Sequence, residues 1–297
     1  MSEIIIDPSK ERHILDFRTL GFRDVLVLGH YIYREAHQPL QIHDHGNCIE
    51  ICYLAEGHQY YRVIDNDYFL RGGEVLMTYP HEPHSTGFLR EGKGNLYWLI
   101  IRRPAKTSGF LGMKFEHGKT LYESLSGLPS RHFKLHIGSQ KNLESVFTLM
   151  ATNQTTPPDT FTLINIQNYL LRFLLDLIDA AKTQKQTTVS ENIAQAVRQI
   201  KDSGDKFYTL HQLARIANLS ESRFKHRFKE EIGTTPADYQ IRQKIDQARK
   251  LLLRPQTTIL DTALDLGFSS SQYFATVFRR YTGMTPAEYR ASETMRE

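Results

Sequence analysis

The feature that most limits how this chain can fold is a block written twice near its C-terminus. Leu213-Ala214-x-x-Ala217-x-Leu219-Ser220 runs into Phe224-x-x-x-Phe228 and Gly233-x-x-Pro236-Ala237-x-Tyr239. About fifty residues later the pattern returns as Ala263-x-x-Leu266-Gly267-Phe268-Ser269, Phe274-x-x-x-Phe278 and Gly283-x-x-Pro286-Ala287-x-Tyr289. The chain must therefore build one short helical unit twice in tandem, which points to a double reader of DNA.

The local chemistry predicts a helix-turn-helix in each copy, at about 210–233 and 259–283. In the first, an apolar helix from Leu210 to Ala217 ends near Asn218, and Ser220 caps a second helix that runs to Gly233. In the second, Gly267 supplies the turn, and Ser269 with Gln272 three residues on reads as a capping box. Thr235 and Thr285 then act as N-caps before Pro236 and Pro286, with Asp238 and Glu288 at N3, so a new helix starts after each unit. The helix from Pro236 to Leu253 joins the copies and spans roughly 25 Å at 1.5 Å per residue. Such a strut suits two recognition helices set about one DNA turn, roughly 34 Å, apart.

Each second helix has an apolar face and a polar one. Phe224 and Phe228 share one stripe, while Ser222, Lys225, His226 and Lys229 follow i, i+3, i+4, i+7 on another. In the second copy Phe274, Phe278 and Tyr281 point inward, and Gln272, Thr276 and Arg279 form the outer stripe with Ser271 at its start. Residues 190–297 hold 17 Lys and Arg against 13 Asp and Glu, so the formal excess of +4 lies there, and residues 1–189 balance at 20 against 20. That surplus attracts phosphate without the strongly basic character of a non-specific nucleoid coat.

Residues 193–290 resemble the DNA-binding domain of AraC/XylS-type bacterial transcription regulators. The likeness is carried by both units, including Ile259-x-x-x-Ala263-x-x-x-Gly267-Phe268-Ser269-x-x-x-x-Phe274-x-x-x-Phe278-Arg279-x-x-x-Gly283-x-x-Pro286-x-x-Tyr289. The resemblance implies promoter DNA as partner, with base or groove contacts from Ser222, Arg223, Lys225 and His226 and from Ser271, Gln272 and Thr276. Lys229, Arg279 and Arg280 are then placed for phosphates. Gln272 suits adenine, and Arg223 or Lys225 suits guanine. Contact with RNA polymerase is implied by the family alone.

A chain of 297 residues, 40% hydrophobic and 24% charged, has room for a second core. From about Arg23 to Arg102 the periodicity becomes that of short strands: Val25–Tyr33, Ile49–Leu54, His58–Ile64, Tyr68–Leu70, Glu74–Tyr79 and Leu96–Ile101. Turns are expected at Asp65-Asn66-Asp67 and Arg71-Gly72-Gly73. Within this region His43-x-His45-x4-Glu50-x6-Gly57 and Gly73-x6-Pro80-x3-His84 resemble the two motifs of cupins, jelly-roll barrels in which such side chains converge on the interior. Two positions depart from that pattern: His37 stands where a leading glycine is expected, and Glu82 replaces a usual glycine. Since AraC-like regulators commonly carry a cupin-like sensor, His43, His45, Glu50 and His84 are expected to bind a small-molecule effector such as a sugar, with no cofactor. A metal at the same four residues, or a structural polar patch, are the alternatives. Tyr31, Tyr60, Tyr61 and Trp98 serve either as walls of that cavity or as ordinary core, and His81, His117, His132 and His136 read as surface or turn residues.

Cys48 and Cys52, i and i+4 on a strand, stand about 13 Å apart, too far for a disulfide and too few for a structural zinc, so both are expected as reduced core thiols. A break at Thr156-Pro157-Pro158-Asp159 precedes a long apolar helix, Thr160 to about Lys182. Its seam of Leu163, Ile166, Leu170, Phe173 and Leu177 is widened by a second face of Leu171, Leu174, Leu175 and Ile178. One face suits an earlier helix near Asn142–Met150 and the other a second subunit, so a homodimer is expected. The resulting expectation is an α+β chain of two domains. A cupin-like effector-binding β-barrel occupies 1–138, a helical dimerisation segment 139–182, a linker 183–192, and an all-α DNA-binding domain 193–297. No apolar run reaches the roughly 18 residues of a membrane span and no signal sequence is evident, so a cytoplasmic regulator rather than an enzyme is expected. The competing reading is a metal-dependent cupin enzyme fused to a DNA-binding domain.

Overall fold

Alternation along extended strands organises the first of the chain's two compact units, which is built on residues up to 186; the second is built mainly on 187–297. The computed structural model describes residues 11–294 except 65, 88, 107–109, 137, 154–156, 184–188, 205 and 255. Asp65 of the first expected turn, Thr156 of the proline-marked break and residues 184–188 of the expected linker therefore lie outside the described residues.

The first unit contains β1 (Arg12–Asp16), β2 (Val25–Tyr33), β3 (Cys48–Val63), β4 (Asn66–Arg71), β5 (Glu74–Thr78), β6 (His84–Ser85), β7 (Gly94–Arg102) and β8 (His132–Lys134). Its helices are α1 (Phe115–Ser126), α2 (Lys141–Thr152) and α3 (Thr160–Thr183). The main sheet runs β1-β2-β7-β3-β5-β8, every pair antiparallel, and β4 and β6 also pair with β3.

Two strands expected at Ile49–Leu54 and His58–Ile64 are one continuous strand, β3. A bulge between Leu54 and Glu56 re-aims it, so its first half pairs with β5 and β7 and its second with β4 and β6. Gly57 makes the bend possible: its φ is +95°, and a Cβ there would stand 2.3 Å from the Lys93 carbonyl oxygen.

On one face Ile49, Ile51 and Tyr53 of β3 join Leu99 and Ile101 of β7, and Leu143, Val146, Ile166, Leu170, Phe173 and Leu177 of α2 and α3 complete this core. The opposite face carries Cys48, Glu50 and Cys52, with Cys48 packed beside Ile100 and Leu26. Both cysteines are buried thiols, neither in a disulfide with the other. The long helix α3 differs from expectation in one respect. The seam from Ile166 to Leu177 lies in the protomer's own core, and so do Leu174 and Ile178 of the supposed second face. The apolar side chains left exposed are Phe161, Ile164 and Leu175.

The second unit contains α4 (Glu191–Lys201), α5 (Leu210–Ile216), α6 (Glu221–Ile232), α7 (Pro236–Leu252), α8 (Ile259–Asp265), α9 (Ser271–Thr282) and α10 (Pro286–Thr294). Its duplicated sequence is a duplicated core. Phe224 and Phe228 stand 5.4 Å apart and Phe228 meets Tyr239 at 5.7 Å, while Phe274 and Phe278 stand 5.6 Å apart and Phe278 meets Tyr289 at 5.7 Å. The two helix turns use a left-handed residue at matching places, Asn218 at φ 50° and Gly267 at φ 74°.

Thr235 caps α7 as expected, accepting from the Asp238 amide at 3.2 Å, and Ser220 caps α6. The cap of α9 is Ser270 rather than Ser269: its hydroxyl accepts from the Tyr273 amide at 3.1 Å, because the turn extends one residue further before the helix starts. Reciprocal capping boxes occur instead at Thr209 with Gln212 and Thr258 with Asp261.

Helix α7 is tied to both copies by buried polar groups. Gln240 accepts from the Tyr208 amide at 2.7 Å, and the buried Lys244 ammonium donates to the Gly204 carbonyl and lies 4.9 Å from the Phe207 ring. Asp238 is the central node: it accepts from Thr234 at 2.6 Å, from Arg242 at 2.7 Å and from the Tyr281 hydroxyl of α9 at 2.6 Å. Burial pushes its carboxyl up, but the Arg242 charge and then these hydrogen bonds outweigh burial and hold it below the ordinary range.

Two outcomes follow for stability. Gly57→Ala combines a left-handed backbone with a steric clash and should destabilise the first unit by roughly 2–4 kcal/mol in urea unfolding; an unchanged midpoint would refute the bend's need for glycine. Asp238→Asn should lower the stability of the second unit by roughly 1–3 kcal/mol at neutral pH. Because the folded carboxyl is depressed, its contribution is present above the unfolded value and lost as pH falls through the folded one. The gap between variant and wild type in calorimetry should therefore close on acidification, and a pH-independent gap would contradict the charge-based account.

Candidate functional site

Four side chains from separate parts of the first unit meet on the Glu50 face of β3. Glu50 is buried, its Oε2 lies 2.9 Å from Nε2 of His84, and its Oε1 lies 3.4 Å from Nε2 of His45. His43 joins through an isolated bridge to His84, with amide-to-carbonyl bonds of 3.1 and 2.9 Å in the two directions. One nitrogen from each of His43, His45 and His84 lies within 4.8 Å of the others. The local fold explains the convergence: β3 delivers Glu50 by alternation, and the two-residue strand β6 lays His84 against the backbone of His43.

Burial pushes the Glu50 carboxyl up, and the facing imidazoles of His45 and His84 outweigh it, so the group is held well below the ordinary carboxylate range. Burial pulls His84 down, and the Glu50 charge more than offsets it, so His84 is raised. The Nδ1 of His84 lies 3.0 Å from the Glu82 carbonyl oxygen. A carbonyl only accepts, so Nδ1 carries the proton and Nε2 faces Glu50.

The aromatic residues singled out in the sequence divide. Tyr31, Tyr60 and Tyr61 are buried, and Tyr60 accepts from Arg62 at 3.0 Å. Tyr31 stacks on Tyr33 at 3.8 Å, and the Arg12 guanidinium lies 5.8, 5.5 and 5.8 Å from the Tyr31, Tyr33 and Trp98 rings. Arg12 went unnoticed because β1 is five residues long, too short for a periodic signal, and Tyr33 because it closes β2 as its last residue. His81, His117 and His136 are exposed, whereas His132 pairs with Glu74 at 2.8 Å across β5 and β8.

In the second unit, the polar faces of α6 and α9 are clear of the core. Ser222, Arg223, Lys225, His226 and Lys229 are exposed on α6, around buried Phe224 and Phe228. On α9, Gln272, Thr276, Arg279 and Arg280 are exposed outside buried Phe274 and Phe278, with Ser271 half-buried at the helix start. His226 lies 3.7 Å from Glu230, and Thr276 donates to the Gln272 carbonyl at 3.0 Å. Tyr273 is also exposed, on the first turn of α9 beside Gln272. Its position outside the Phe274/Phe278 stripe was the available signal, and the aromatic character hid it. The outward faces thus offer hydrogen-bonding groups and cations, with Glu221 and Glu230 as exposed acids at the two ends of α6.

A helix-turn-helix domain family matches residues 213–292, and an AraC-like ligand binding domain family matches residues 29–161. The chain is similar to the arabinose operon regulatory protein of Escherichia coli K12, 29% identical over 125 residues that cover 42% of this chain and 43% of that protein. It is also similar to the uncharacterized HTH-type transcriptional regulator YfiF of Bacillus subtilis, 24% identical over 272 residues, 86% of this chain and 80% of that protein. Among solved structures it matches the DNA-binding domain of AdpA in complex with a target DNA at 30% identity, over 36% of this chain and 97% of that one, with a TM-score of 0.35. The match thus spans less than half the length of the arabinose regulator. With an AraC-like ligand binding domain over residues 29–161 followed by a helix-turn-helix domain over 213–292, the chain has the two-domain architecture of AraC-type regulators.

Proposed function

We propose that this protein is a sequence-specific transcription regulator that grips promoter DNA with α6 and α9 and is controlled by a small-molecule effector held at His43, His45, Glu50 and His84. One observation carries the DNA reading: two recognition helices on matching Phe-Phe-Tyr cores, each with an outward polar face, joined by a helix of 17 residues whose buried polar groups hold both copies. A single polar helix face is ordinarily just solvated. Two on one rigid strut suit successive major grooves.

The convergent polar cluster supports the effector reading: Glu50 stands on the face of β3 whose Cys52 is opposite Trp98, and aromatic walls around few polar groups suit a sugar or a similar polar organic molecule. The relative named for the arabinose operon makes neutral sugars the first class to try. Control then works as a shift in population between states of the DNA-binding units, driven by the effector's different affinity for each.

A second copy of the chain is the proposed partner of α3. Phe161, Ile164, Asn168, Leu171 and Leu175 follow a three-four spacing, and Phe161, Ile164 and Leu175 are 79%, 45% and 41% exposed. A stripe with that spacing can pair with its own copy as a coiled-coil seam, and a polar Asn within it would help to set the register.

Replacing Lys225 or Gln272 by Ala should weaken binding to an operator selected from a random duplex pool by roughly 5–100-fold, equivalent to 1–3 kcal/mol. Binding to unrelated duplex should change far less, and equal losses on both duplexes would refute base reading. The double change His43→Ala with Glu50→Ala should abolish any sugar-dependent change in operator affinity while leaving operator binding intact. A normal response in that variant would show the effector site to be elsewhere.

A further inference from the structure

The two recognition helices share one frame and carry different chemistry. Each begins at a serine cap, Ser220 or Ser270, whose carbonyl accepts from the first core phenylalanine, Phe224 at 2.8 Å and Phe274 at 3.0 Å. The amide that meets the cap hydroxyl belongs to Arg223 in α6, at 3.4 Å, and to Tyr273 in α9, at 3.1 Å. Those bonds set Ser222 against Gln272, Arg223 against Tyr273, Lys225 against Ala275 and His226 against Thr276. Where the first half of the α6 face has Arg, Lys and His, α9 has an uncharged side chain each time. The cations of α9, Arg279 and Arg280, come only in its last turn.

Tyr273 is the sharpest of these differences. Its ring is 51% exposed, although Phe274 beside it is fully buried. The ring is nonetheless braced: its centre lies 6.0 Å from that of buried Phe268, which stands 5.1 Å from Phe274 and 5.6 Å, edge-on, from Phe207. An aromatic side chain held in this way offers contact area while losing little freedom on binding.

The neighbours of Tyr273 point to the same kind of target. Thr276 donates its hydroxyl proton to the Gln272 carbonyl at 3.0 Å, so it has none to give to a base and offers an acceptor and a methyl. Ala275 offers a methyl alone. Gln272 keeps a side-chain amide, which suits N6 and N7 of adenine. Thymine is the base with an apolar group, its C5-methyl, on the major-groove edge, whereas guanine presents two acceptors that want the donors of Arg223 or Lys225.

We propose that the two helices read half-sites of unlike composition, α6 one that bears guanine and α9 one of A·T pairs, and that Tyr273 is a specificity-determining residue that packs against a thymine methyl. This rests on the reading of α6 and α9 as the helices that grip DNA and adds what each one recognises. The operator then has a direction. Reversing a protomer on it would set Arg223 against methyl groups and leave guanine acceptors unpaired beneath Tyr273, which is costly.

The test selects operators for the full-length protein from a random duplex pool and measures affinity by fluorescence anisotropy as each thymine is replaced in turn by deoxyuridine, which lacks only the methyl. The α9 half-site is the half whose base preference relaxes in Gln272→Ala. At one thymine in that half, removing the methyl should weaken wild-type binding by roughly 3–5-fold, the worth of one buried methyl group. The same dependence should hold in Tyr273→Phe and vanish in Tyr273→Ala. Tyr273→Arg, which copies the α6 residue at the matching place, should shift the preferred base there from thymine to guanine.

A wild type that tolerates deoxyuridine throughout the α9 half, or a methyl effect that persists in Tyr273→Ala, overturns the role of Tyr273. So does its loss in Tyr273→Phe, which would assign the contact to the hydroxyl. Guanine selected in the α9 half and A·T pairs in the α6 half overturn the division between the helices. The deoxyuridine series on wild type decides the methyl contact even where a substitution unfolds α9, which thermal melts would reveal. A protein that selects no operator sinks the DNA reading itself, whereas a selected operator indifferent to these changes sinks this inference alone.

Discussion

Because β3 pairs with β7 and β5 along its first half and with β4 and β6 along its second, nearly every strand of the first unit takes its register from it. Its period of two then assigns Ile49, Ile51 and Tyr53 to the core beneath α2 and α3, and Cys48, Glu50 and Cys52 to the other face. A slip of one residue would put a carboxylate under the helices and isoleucines among the histidines. Apolar burial on one side thus fixes where the one buried acid of the site must lie, and the acid's need for compensation draws three imidazoles to it.

The second unit solves a different problem with different means. Each helix-turn-helix has a small core of its own, and neither is large enough to dictate how the other is oriented. The orientation comes from polar groups on α7, with Gln240 and Lys244 reaching the loop before α5 and Asp238 reaching Tyr281 on α9. Buried hydrogen bonds of this kind are directional where apolar packing is not, and leaving any of them unmade is costly. They therefore specify one spacing between the recognition helices rather than a range.

Much of this was legible in the residues because it repeats or alternates. The Phe224/Phe228 and Phe274/Phe278 stripes, the Thr-Pro helix starts and the run Val25–Tyr33 all appear in the structure where periodicity places them. The convergence of His43, His45, Glu50 and His84 was legible from motif spacing, although β6, which seats His84, is two residues long and has no period to detect. What escaped was set by tertiary contact. β3 continues through a bulge that Gly57 marks but does not announce, and α1 contains a Gly118 pressed against Phe110 that weakens its helical pattern. Glu82 looked like a loss of motif, when its partner Arg131 lies 49 positions away in sequence. Helix α3 is the converse case: its strongest seam was assigned correctly as apolar, but the sequence cannot distinguish a face that packs within one chain from a face left over.

On the proposed reading, the modest positive charge and the rigid strut belong together. Each recognition face offers few cations, and on α6 two of the neighbouring positions are the acids Glu221 and Glu230, so neither helix alone can gain much from phosphate attraction. Weak individual contacts become useful when the second is made intramolecular by a linker of fixed length, since the effective concentration then depends on whether the geometry matches the spacing of the grooves. A flexible connection would tolerate many spacings at low gain, whereas α7, held at Asp238 and Lys244, favours one. Specificity then resides in the distance between two modest readers as much as in the bases either one touches, and a small change in that distance is sufficient to switch binding without altering a single contact residue.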